Sequence, residues 1–448
     1  MKDVLVVCFA ALAASVCAAK PEVSGVTVSQ DRPGEIGIAY SLSDGPAIVT
    51  AKIFVDDVEV PAEKLSTLTG DLGPNVAAGS RRIVWKARKE LPGLVGRQSK
   101  VRAELRAYSV SNPPDYLVIP LVTNAYAKVR FYESASDLPG GLGADGDDCY
   151  RTNCLVMRRI RARGITWTSG SHCFNKFADG NDWYRQLPCE VKLQKDYWIG
   201  VYELTSGQYD RICKVYHEQV YGVQRDVRPC DKLYYREMRI MNGTVADPQT
   251  EDRPDLPPGE TSALGRMRAF TGLSFDFPTE SEWEFAAKAG TTPNRWNTGA
   301  MITNETADAN CPGRYLHNGG GYYDENEQKW KKAPVTSDVD AGTAKVGSYA
   351  PNAFGLYDMH GNVMEWCRDF SAADTRKPVH LKGALNATFY PAASDGSGVH
   401  ILRGGYFPNT ASHVFLTKRT GERYTNSYAG MGCRLVLPLD LTDELTGN

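Results

Sequence analysis

The stretch GLYDMHGNVMEW, residues 355–366, decides the fold prediction because its residue order fits neither the strand period nor the helical period. Asp358 and Glu365 lie seven residues apart with glycine and asparagine between them, so a looped backbone could place carbonyl oxygens beside both carboxylates. Converging oxygens suit a hard cation such as calcium. In the alternative interpretation, Asp358 caps a turn and Glu365 pairs with an arginine. Spacing alone favours this alternative.

Length, net charge and the first residues limit the classes of protein to which this chain can belong. A chain of 448 residues is long enough for two or three domains, at about 150 residues each. A net charge of -2 gives no indication of nucleic-acid binding. Residues 1–19 combine Lys2, an apolar run and terminal small residues, which is typical of a cleaved secretory signal peptide. We therefore expect a secreted, periplasmic or cell-surface protein, and Cys17 leaves lipid anchoring open. No later apolar run approaches the roughly 20 residues that a membrane span needs.

The remaining cysteines indicate disulfides in an oxidising compartment. Of the 11 cysteines, Cys8 and Cys17 belong to the signal peptide, and the odd remainder leaves at least one thiol unpaired within the chain. Three local pairs are plausible, and the connectivity stays open: Cys149 with Cys154, Cys173 with Cys189, and Cys213 with Cys230. The spacings match no zinc pattern.

The first part of the mature chain has the pattern of a small antiparallel β-sandwich. In EIGIAYSL, apolar side chains alternate from Ile36 to Leu42, and turn signals separate similar segments. Trp85 is the predicted core aromatic. We assign residues 20–111 to an immunoglobulin- or fibronectin-like sandwich, residues 112–154 to linker strands and residues 155–448 to a second domain. The segment from Cys154 to Ser171 is predicted to form a hairpin that enters this domain.

Two segments of the second domain carry helix-start signals. Thr205 or Ser206 can cap a helix after WIGVYEL, and Thr279 with Glu282 forms a capping box before an apolar helix face. Residues 300–347 are rich in Asn, Asp, Gly and Thr. Such a long irregular passage is usually stabilised by ions or disulfides, or it serves binding. The last motifs, ILRGGYF and GMGCRLVLP, indicate two core strands around a polar loop.

Together, WIGVYELTSGQY, FPTESEWEFAAKAGTT, NAFGLYDMHGNVMEW, RGGYF and GCRLV resemble the formylglycine-generating enzyme family, also called the sulfatase-modifying factor family. The resemblance runs from about Leu155 to Leu437 and omits the sandwich. It implies an α+β fold related to C-type lectins, with little regular secondary structure and stabilised by structural calcium. The first implied calcium site consists of the side chains of Asp358 and Glu365 and the carbonyls of Gly361 and Val363. The second consists of the side chains of Asn310 and Asp338 and the carbonyls of Cys311 and Asp340.

Family enzymes oxidise a sulfatase cysteine to formylglycine with two cysteines that hold copper(I) after the RGG strand. The corresponding positions here are Asn409 and Val414, and no cysteine occurs between Cys367 and Cys433. Amide and aliphatic side chains do not replace thiolate ligands of copper(I). We therefore expect no copper cofactor and no catalytic residues.

The polar and aromatic loop after the RGG strand offers a binding surface instead. The candidate ligand-binding residues are Tyr406, Phe407, Asn409 and His413. The sequence thus predicts a non-catalytic, calcium-stabilised binding protein for an unknown protein, peptide or glycan. The alternative is a formylglycine-generating oxidase with displaced ligands, or another chemistry on the same fold.

Overall fold

The structure, a computed structural model, describes most of the chain in segments. The described residues are 20–60, 62–65, 67–94, 100–123, 125–170, 188–214, 224–240, 257–291, 296–303, 307–332, 342–370 and 399–441. The predicted signal peptide, Asp338, Asp340 and Cys173 lie outside them. The chain divides into two compact units, one of Met1–Val60 with Thr67–Asn112 and one of Pro61–Ser66 with Pro113–Asn448.

The first unit is built from antiparallel strands and one short helix, α1, at Ala87–Glu90. Its strands are β1 Val23–Arg32, β2 Glu35–Leu42, β3 Ala47–Val55, β4 Val58–Glu59, β5 Thr69–Gly70, β6 Gly73–Val76, β7 Gly79–Trp85 and β8 Val101–Ser109. One sheet has the order β1-β2-β7-β5, and the other has the order β4-β3-β6 with β8 paired to β3. The alternating apolar residues of β2 point inward as predicted, and Ile38 and Trp85 are fully buried.

The second unit is a mixed α+β fold with small sheets and long irregular connections. Its strands are β9 Tyr116–Pro120, β10 Arg130–Tyr132, β11 Cys154–Ile160, β12 Thr166–Ser169, β13 Cys189–Lys192, β14 Tyr197–Gly200, β15 Gly321–Asp324, β16 Lys329–Lys332, β17 Met364–Phe370, β18 Val399–Arg403, β19 Thr420–Arg423, β20 Met431–Gly432 and β21 Val436–Pro438. The larger sheets have the orders β10-β9-β11-β14-β21 and β19-β18-β17-β20. β12 pairs with β13, and β15 pairs with β16.

Two details of the predicted organisation are corrected. β11 and β12 do not form a hairpin, because β11 pairs with β9 and β14 while β12 pairs with β13. The segment that we predicted as linker strands supplies β9 and β10 to the five-stranded sheet of the second unit. β9 joins the sheet through β11, where Val118 pairs with Val156, and the local periodicity of neither strand specifies that partner.

The described helices of the second unit are α2 Cys149–Thr152, α3 Ser206–Cys213, α4 Ala263–Thr271 and α5 Glu280–Lys288, with a π-helical turn at Arg236–Ile240. Of these, α3 and α5 begin at predicted caps. The Thr205 hydroxyl accepts the Gln208 N–H at the start of α3. The Thr279 hydroxyl accepts the Glu282 N–H, and the Glu282 carboxylate accepts the Thr279 N–H, which completes the capping box of α5. Trp283 on α5 is fully buried in the core cluster that contains Ile199 and Leu356.

Single turns of 3-10 helix occur at Ala62–Leu65, Pro92–Leu94, Ala125–Lys128, Ala135–Asp137, Arg225–Val227, Leu316–Asn318 and Ala411–Val414. Within the segments that the structure describes, no helix combines the length and apolar character that a bilayer span requires.

Candidate functional site

The acidic loop, defined as residues 358–365, runs into β17 and is shaped by left-handed backbone positions. Asp358, Gly361 and Asn362 have φ values of 56°, 74° and 58°. Only glycine fits at residue 361, because a Cβ there would lie 2.0 Å from the Arg314 carbonyl oxygen. The loop is therefore held in one tight conformation against a neighbouring segment.

Glu365 pairs with an arginine, as the simpler interpretation of its spacing predicted. Arg434 Nη2 lies 2.9 Å from Glu365 Oε1, and Arg434 Nε lies 3.1 Å from Oε2. Trp283 Nε1 also donates to Oε2, at 2.6 Å. The guanidinium is fixed further by the carbonyls of Gly200 and Tyr357, at 2.9 and 2.8 Å. Most lone pairs of the Glu365 carboxylate are thus used by these donors.

Asp358 differs because it has no salt bridge among the described residues. Its Oδ2 accepts the Gly347 N–H at 2.6 Å, whereas its buried Oδ1 has no hydrogen-bond partner. Burial raises the pKa of Asp358 to about 6, against the opposing Gly347 N–H and the guanidinium groups of Arg434 and Arg151. An unpartnered buried carboxylate oxygen is costly unless a cation or a proton satisfies it.

A third carboxylate, Glu203, lies beside the acidic loop. It is 1% exposed, and its oxygens accept the Asn362 side-chain amide at 2.6 Å and the Val363 N–H at 3.1 Å. Burial, with the charges of Asp358 and Glu365, raises the pKa of Glu203 well above its usual value. Sequence reasoning missed this residue, although an acidic side chain directly after the apolar run WIGVY was a usable signal.

The residues present fit a hard cation at part of the predicted first calcium site. Three oxygens of the acidic loop accept no hydrogen bond from the described residues and are predicted ligands: Asp358 Oδ1 and the carbonyls of Gly361 and Val363. The guanidinium groups of Arg434 and Arg151 oppose the raised pKa of Asp358, and that of Arg434 also opposes the raised pKa of Glu203, so positive charge at this loop favours the ionised carboxylates. No three His, Cys, Asp or Glu side chains in the described segments are grouped to hold a metal ion, so backbone carbonyls would have to contribute. Because the Glu365 oxygens already accept hydrogen bonds from Arg434 and Trp283, Glu365 would contribute negative charge near the ion more than a ligand atom.

The predicted second calcium site is only partly covered by the described residues. Asn310 is exposed, its N–H donates to Asp308 Oδ1 at 2.9 Å, and the Cys311 side chain is buried. Asp338 and Asp340 lie outside the described segments, so this site stays a prediction. Asp308, which sequence reasoning missed, is 1% exposed and also accepts Trp296 Nε1 at 3.1 Å.

The candidate ligand-binding loop mixes buried and accessible residues. Phe407 is fully buried beside Ala429, so its side chain belongs to the core and is not available to a ligand. Tyr406 is half-buried, and its N–H donates to Asn409 Oδ1 at 3.2 Å. The Nδ1 of half-buried His413 lies 3.0 Å from the Thr410 hydroxyl.

The described cysteines are free thiols, and most are deeply buried. The sulfurs of Cys149 and Cys154 are 3.4 Å apart, beyond bonding distance, and Cys213 and Cys230 are also unbonded. The predicted pairs Cys149 with Cys154 and Cys213 with Cys230 are therefore not formed in this structure, whereas the pair Cys173 with Cys189 stays a prediction because Cys173 and the Cys189 side chain are not described. Burial raises the pKa of Cys367 and Cys433 well above the usual thiol value.

The two positions that correspond to the family's copper ligands have structural contacts. Val414 is fully buried, and its carbonyl accepts from His360 Nδ1 at 2.7 Å. His360 Nε2 accepts the Asn297 N–H at 3.3 Å, and burial lowers the His360 pKa to about 4. His360 is therefore a neutral, packed residue. The Asn409 side-chain Oδ1 accepts the Tyr406 N–H at 3.2 Å, and the Asn409 backbone carbonyl accepts the Leu316 N–H at 2.8 Å.

The fold and the site define a mixed α+β domain built around a buried acidic loop. Residues 168–439 match the family model described as the Sulfatase-modifying factor enzyme 1-like domain, which is more than half of the chain, and the chain belongs to this family. The recognition made from the sequence motifs is thereby confirmed.

Similar proteins include two curated formylglycine-generating enzymes. That of Thermomonospora curvata is 30% identical over 160 residues, which cover 35% of this chain and 46% of the relative. That of Streptomyces coelicolor is 28% identical over 170 residues, which cover 37% of this chain and 47% of the relative. The matched segments thus span about half the length of these relatives. The solved structure of PvdO from Pseudomonas aeruginosa is 18% identical, covers 66% of this chain and 98% of that chain, and has a TM-score of 0.42.

Proposed function

We propose that this protein is a secreted, non-catalytic binding protein with a calcium-stabilised sulfatase-modifying-factor domain. The observation that carries the proposal is the chemistry at Asn409 and Val414, the positions of the family's copper ligands. Neither side chain is a soft thiolate, and the residues between Cys367 and Cys433 include no cysteine. The described thiols at Cys367 and Cys433 are fully buried, with pKa values raised by burial, which opposes thiolate formation.

The binding surface in this proposal is the loop that begins at Tyr406. Tyr406 packs against Tyr428 with a ring-centroid distance of 6.0 Å, and both rings remain half-buried. Asn409 and His413 add polar groups next to these rings. An aromatic and polar surface on a rigid scaffold suits a protein, peptide or glycan ligand.

A peptide-oxidation assay separates the proposal from its alternative, a formylglycine-generating oxidase. Purified protein is incubated with copper and a peptide that contains Cys-x-Pro-x-Arg, with a family enzyme that carries both cysteines as positive control. We expect the peptide mass to stay unchanged. Conversion of the peptide cysteine to formylglycine, detected by mass spectrometry, would establish the oxidase instead. Binding itself is screened on peptide and glycan arrays, where Tyr406→Ala and His413→Ala should weaken any signal.

Calcium is expected to raise the melting temperature of the protein. A ligand present at 100 times its Kd stabilises the folded state by about 2.7 kcal/mol, which corresponds to roughly 4 °C for a unit of this size. Calorimetry with calcium and with a chelator measures this difference. When bound, the ion would supply positive charge to the acidic loop and bring its oxygens together.

Two variants assign the calcium effect to the acidic loop. Asp358→Ala removes the unpartnered Oδ1 and should abolish most of the calcium-dependent shift. Asp196→Ala is the matched control, because Asp196 accepts the backbone N–H groups of Ala162 and Arg163, at 3.0 Å each, in the same unit. It should lower the melting temperature but keep the shift. Identical melting temperatures with calcium and chelator would contradict the calcium site.

A further inference from the structure

We propose that Glu203 is the positioning residue that holds the acidic loop in its calcium-binding conformation. The inference rests on the calcium binding proposed above and adds the residue that shapes the site without touching the ion. It follows from hydrogen bonds around one peptide group of the loop.

Glu203 lies on a well-fixed segment between β14 and α3. The next residue, Leu204, donates its N–H to the Cys433 carbonyl at 2.9 Å and accepts the Cys230 N–H at 2.7 Å. Thr205 caps α3, and its hydroxyl donates to the Arg151 carbonyl at 2.5 Å. The carboxylate therefore extends from a backbone that is held on both sides.

The peptide group between Asn362 and Val363 is bound at both of its polar atoms. Its N–H, on Val363, donates to Glu203 Oε1 at 3.1 Å, and its carbonyl, on Asn362, accepts the Phe407 N–H at 3.0 Å. These two bonds fix the plane of the peptide. The flanking peptides, which carry the Gly361 and Val363 carbonyls, are held by the Asn362 N–H on the Arg314 carbonyl at 2.8 Å and the Met364 N–H on the Gly430 carbonyl at 2.7 Å. The Glu203-bound peptide joins these two peptides, and the Gly361 and Val363 carbonyls accept no hydrogen bond among the described residues.

The Asn362 side chain strengthens the same arrangement. Its Nδ2 donates to Glu203 Oε2 at 2.6 Å, and its Oδ1 accepts the Ala344 N–H at 2.8 Å. Asn362 has a φ of 58°, which costs free energy in a residue other than glycine. Glu203 thus offsets the cost of the left-handed residue that turns the loop.

The charges around the acidic loop indicate why residue 203 is a glutamate. The buried residues Glu284 and Glu365 each form a salt bridge with an arginine, at 2.7 and 2.9 Å. In the described part of the chain, Glu203 and Asp358 form none, although Glu203 is 1% and Asp358 2% exposed. A buried charge without an ion pair is expensive, and a divalent cation beside the loop would compensate both carboxylates.

The test is the calcium affinity of Glu203→Gln, measured by isothermal titration calorimetry with chelator-treated protein and calcium chloride. The glutamine can accept from only one of the two donors, because its amide nitrogen faces the other donor. Loss of a residue that orients metal ligands typically weakens metal binding about 10–100-fold, and we expect a change of this size. Glu203→Asp, which keeps the charge but shortens the side chain, is measured in parallel and should also bind more weakly.

Glu90→Gln is the matched control. Glu90, in the first unit, likewise accepts a backbone N–H, from Thr67 at 2.6 Å, and a side-chain N–H, from Trp85 at 3.0 Å. This variant should lose stability without a change in calcium affinity.

The double variant Glu203→Gln with Asn362→Asp tests the pairing directly. It moves the carboxylate to residue 362, restores a donor–acceptor pair, and should recover part of the lost affinity. Equal calcium affinities of Glu203→Gln, Glu203→Asp and the wild-type protein would overturn the inference and leave the calcium site standing. A wild-type protein that does not bind calcium would overturn both.

Discussion

Replacement of Arg434 by methionine is expected to lower the free energy of unfolding by about 3–5 kcal/mol. Arg434 is fully buried and forms the only salt bridge to Glu365 among the described residues, at 2.9 Å. Its loss leaves the Glu365 carboxylate buried without a counter-charge. The carbonyls of Gly200 and Tyr357 lose their donor as well. Urea denaturation monitored by fluorescence measures the change.

Arg161→Met serves as the control in the same unit. Arg161 pairs with Asp115 at 2.6 Å, but its side chain is 60% exposed, so solvent screens the pair. Exposed pairs contribute about 1 kcal/mol or less, and Arg161→Met should stay within that range. A double variant, Arg434→Met with Glu365→Gln, removes the uncompensated charge and should be more stable than Arg434→Met alone. Equal losses for Arg434→Met and Arg161→Met would contradict the role assigned to the buried pair.

Local sequence signals predicted those strands and helices whose formation depends on residues close to them in the chain. The alternating residues of β2 and the capping box at Thr279 depend on neighbours within a few residues, and both occur as predicted. The placement of β9 and β11 did not follow from the sequence in the same way. Val118 pairs with Val156 across the sheet, and nothing near either residue specifies that partner.

The candidate site shows the same limit. Asp358 and Glu365 were found because they occur in one short motif, but the partners that determine their chemistry are distant in the chain. Arg434 is 69 residues from Glu365, and Glu203 is 159 residues from Asn362. Only the folded chain shows that Glu365 is paired and Asp358 is not. Of the four ligands predicted for the first site, the difference favours the Asp358 side chain and the carbonyls of Gly361 and Val363 over the Glu365 side chain.

Replacement of Glu284 by glutamine is expected to lower the free energy of unfolding by about 3–5 kcal/mol at neutral pH, as for Arg434→Met. The difference between the two proteins should become smaller at acidic pH. Glu284 is fully buried on α5 and lies 2.7 Å from both Arg403 Nη2 and Lys288 Nζ. The Ser169 hydroxyl donates to it at 2.9 Å, and the Gly170 N–H at 2.7 Å. Neutralising the carboxylate leaves the buried Lys288 without its counter-charge and leaves Arg403 with Glu280 alone, at 3.3 Å, which costs about 3–5 kcal/mol. Urea denaturation of both proteins at neutral pH gives the difference.

The pH dependence identifies the Glu284 charge as the cause. Burial alone would raise the pKa of Glu284, but Lys288 and Arg403 outweigh it and lower the pKa from 4.5 to about 2. Because the folded-state pKa lies below the unfolded one, the stabilisation is complete above about pH 5 and is lost as the pH falls towards 2. The shift corresponds to about 3 kcal/mol, so the advantage of the wild-type protein over Glu284→Gln should shrink by that amount on acidification. The exposed Glu325, changed to glutamine, should alter stability by no more than about 0.5 kcal/mol. A wild-type advantage that persists unchanged at low pH would show that packing, and not the buried charge, holds α5 against β18.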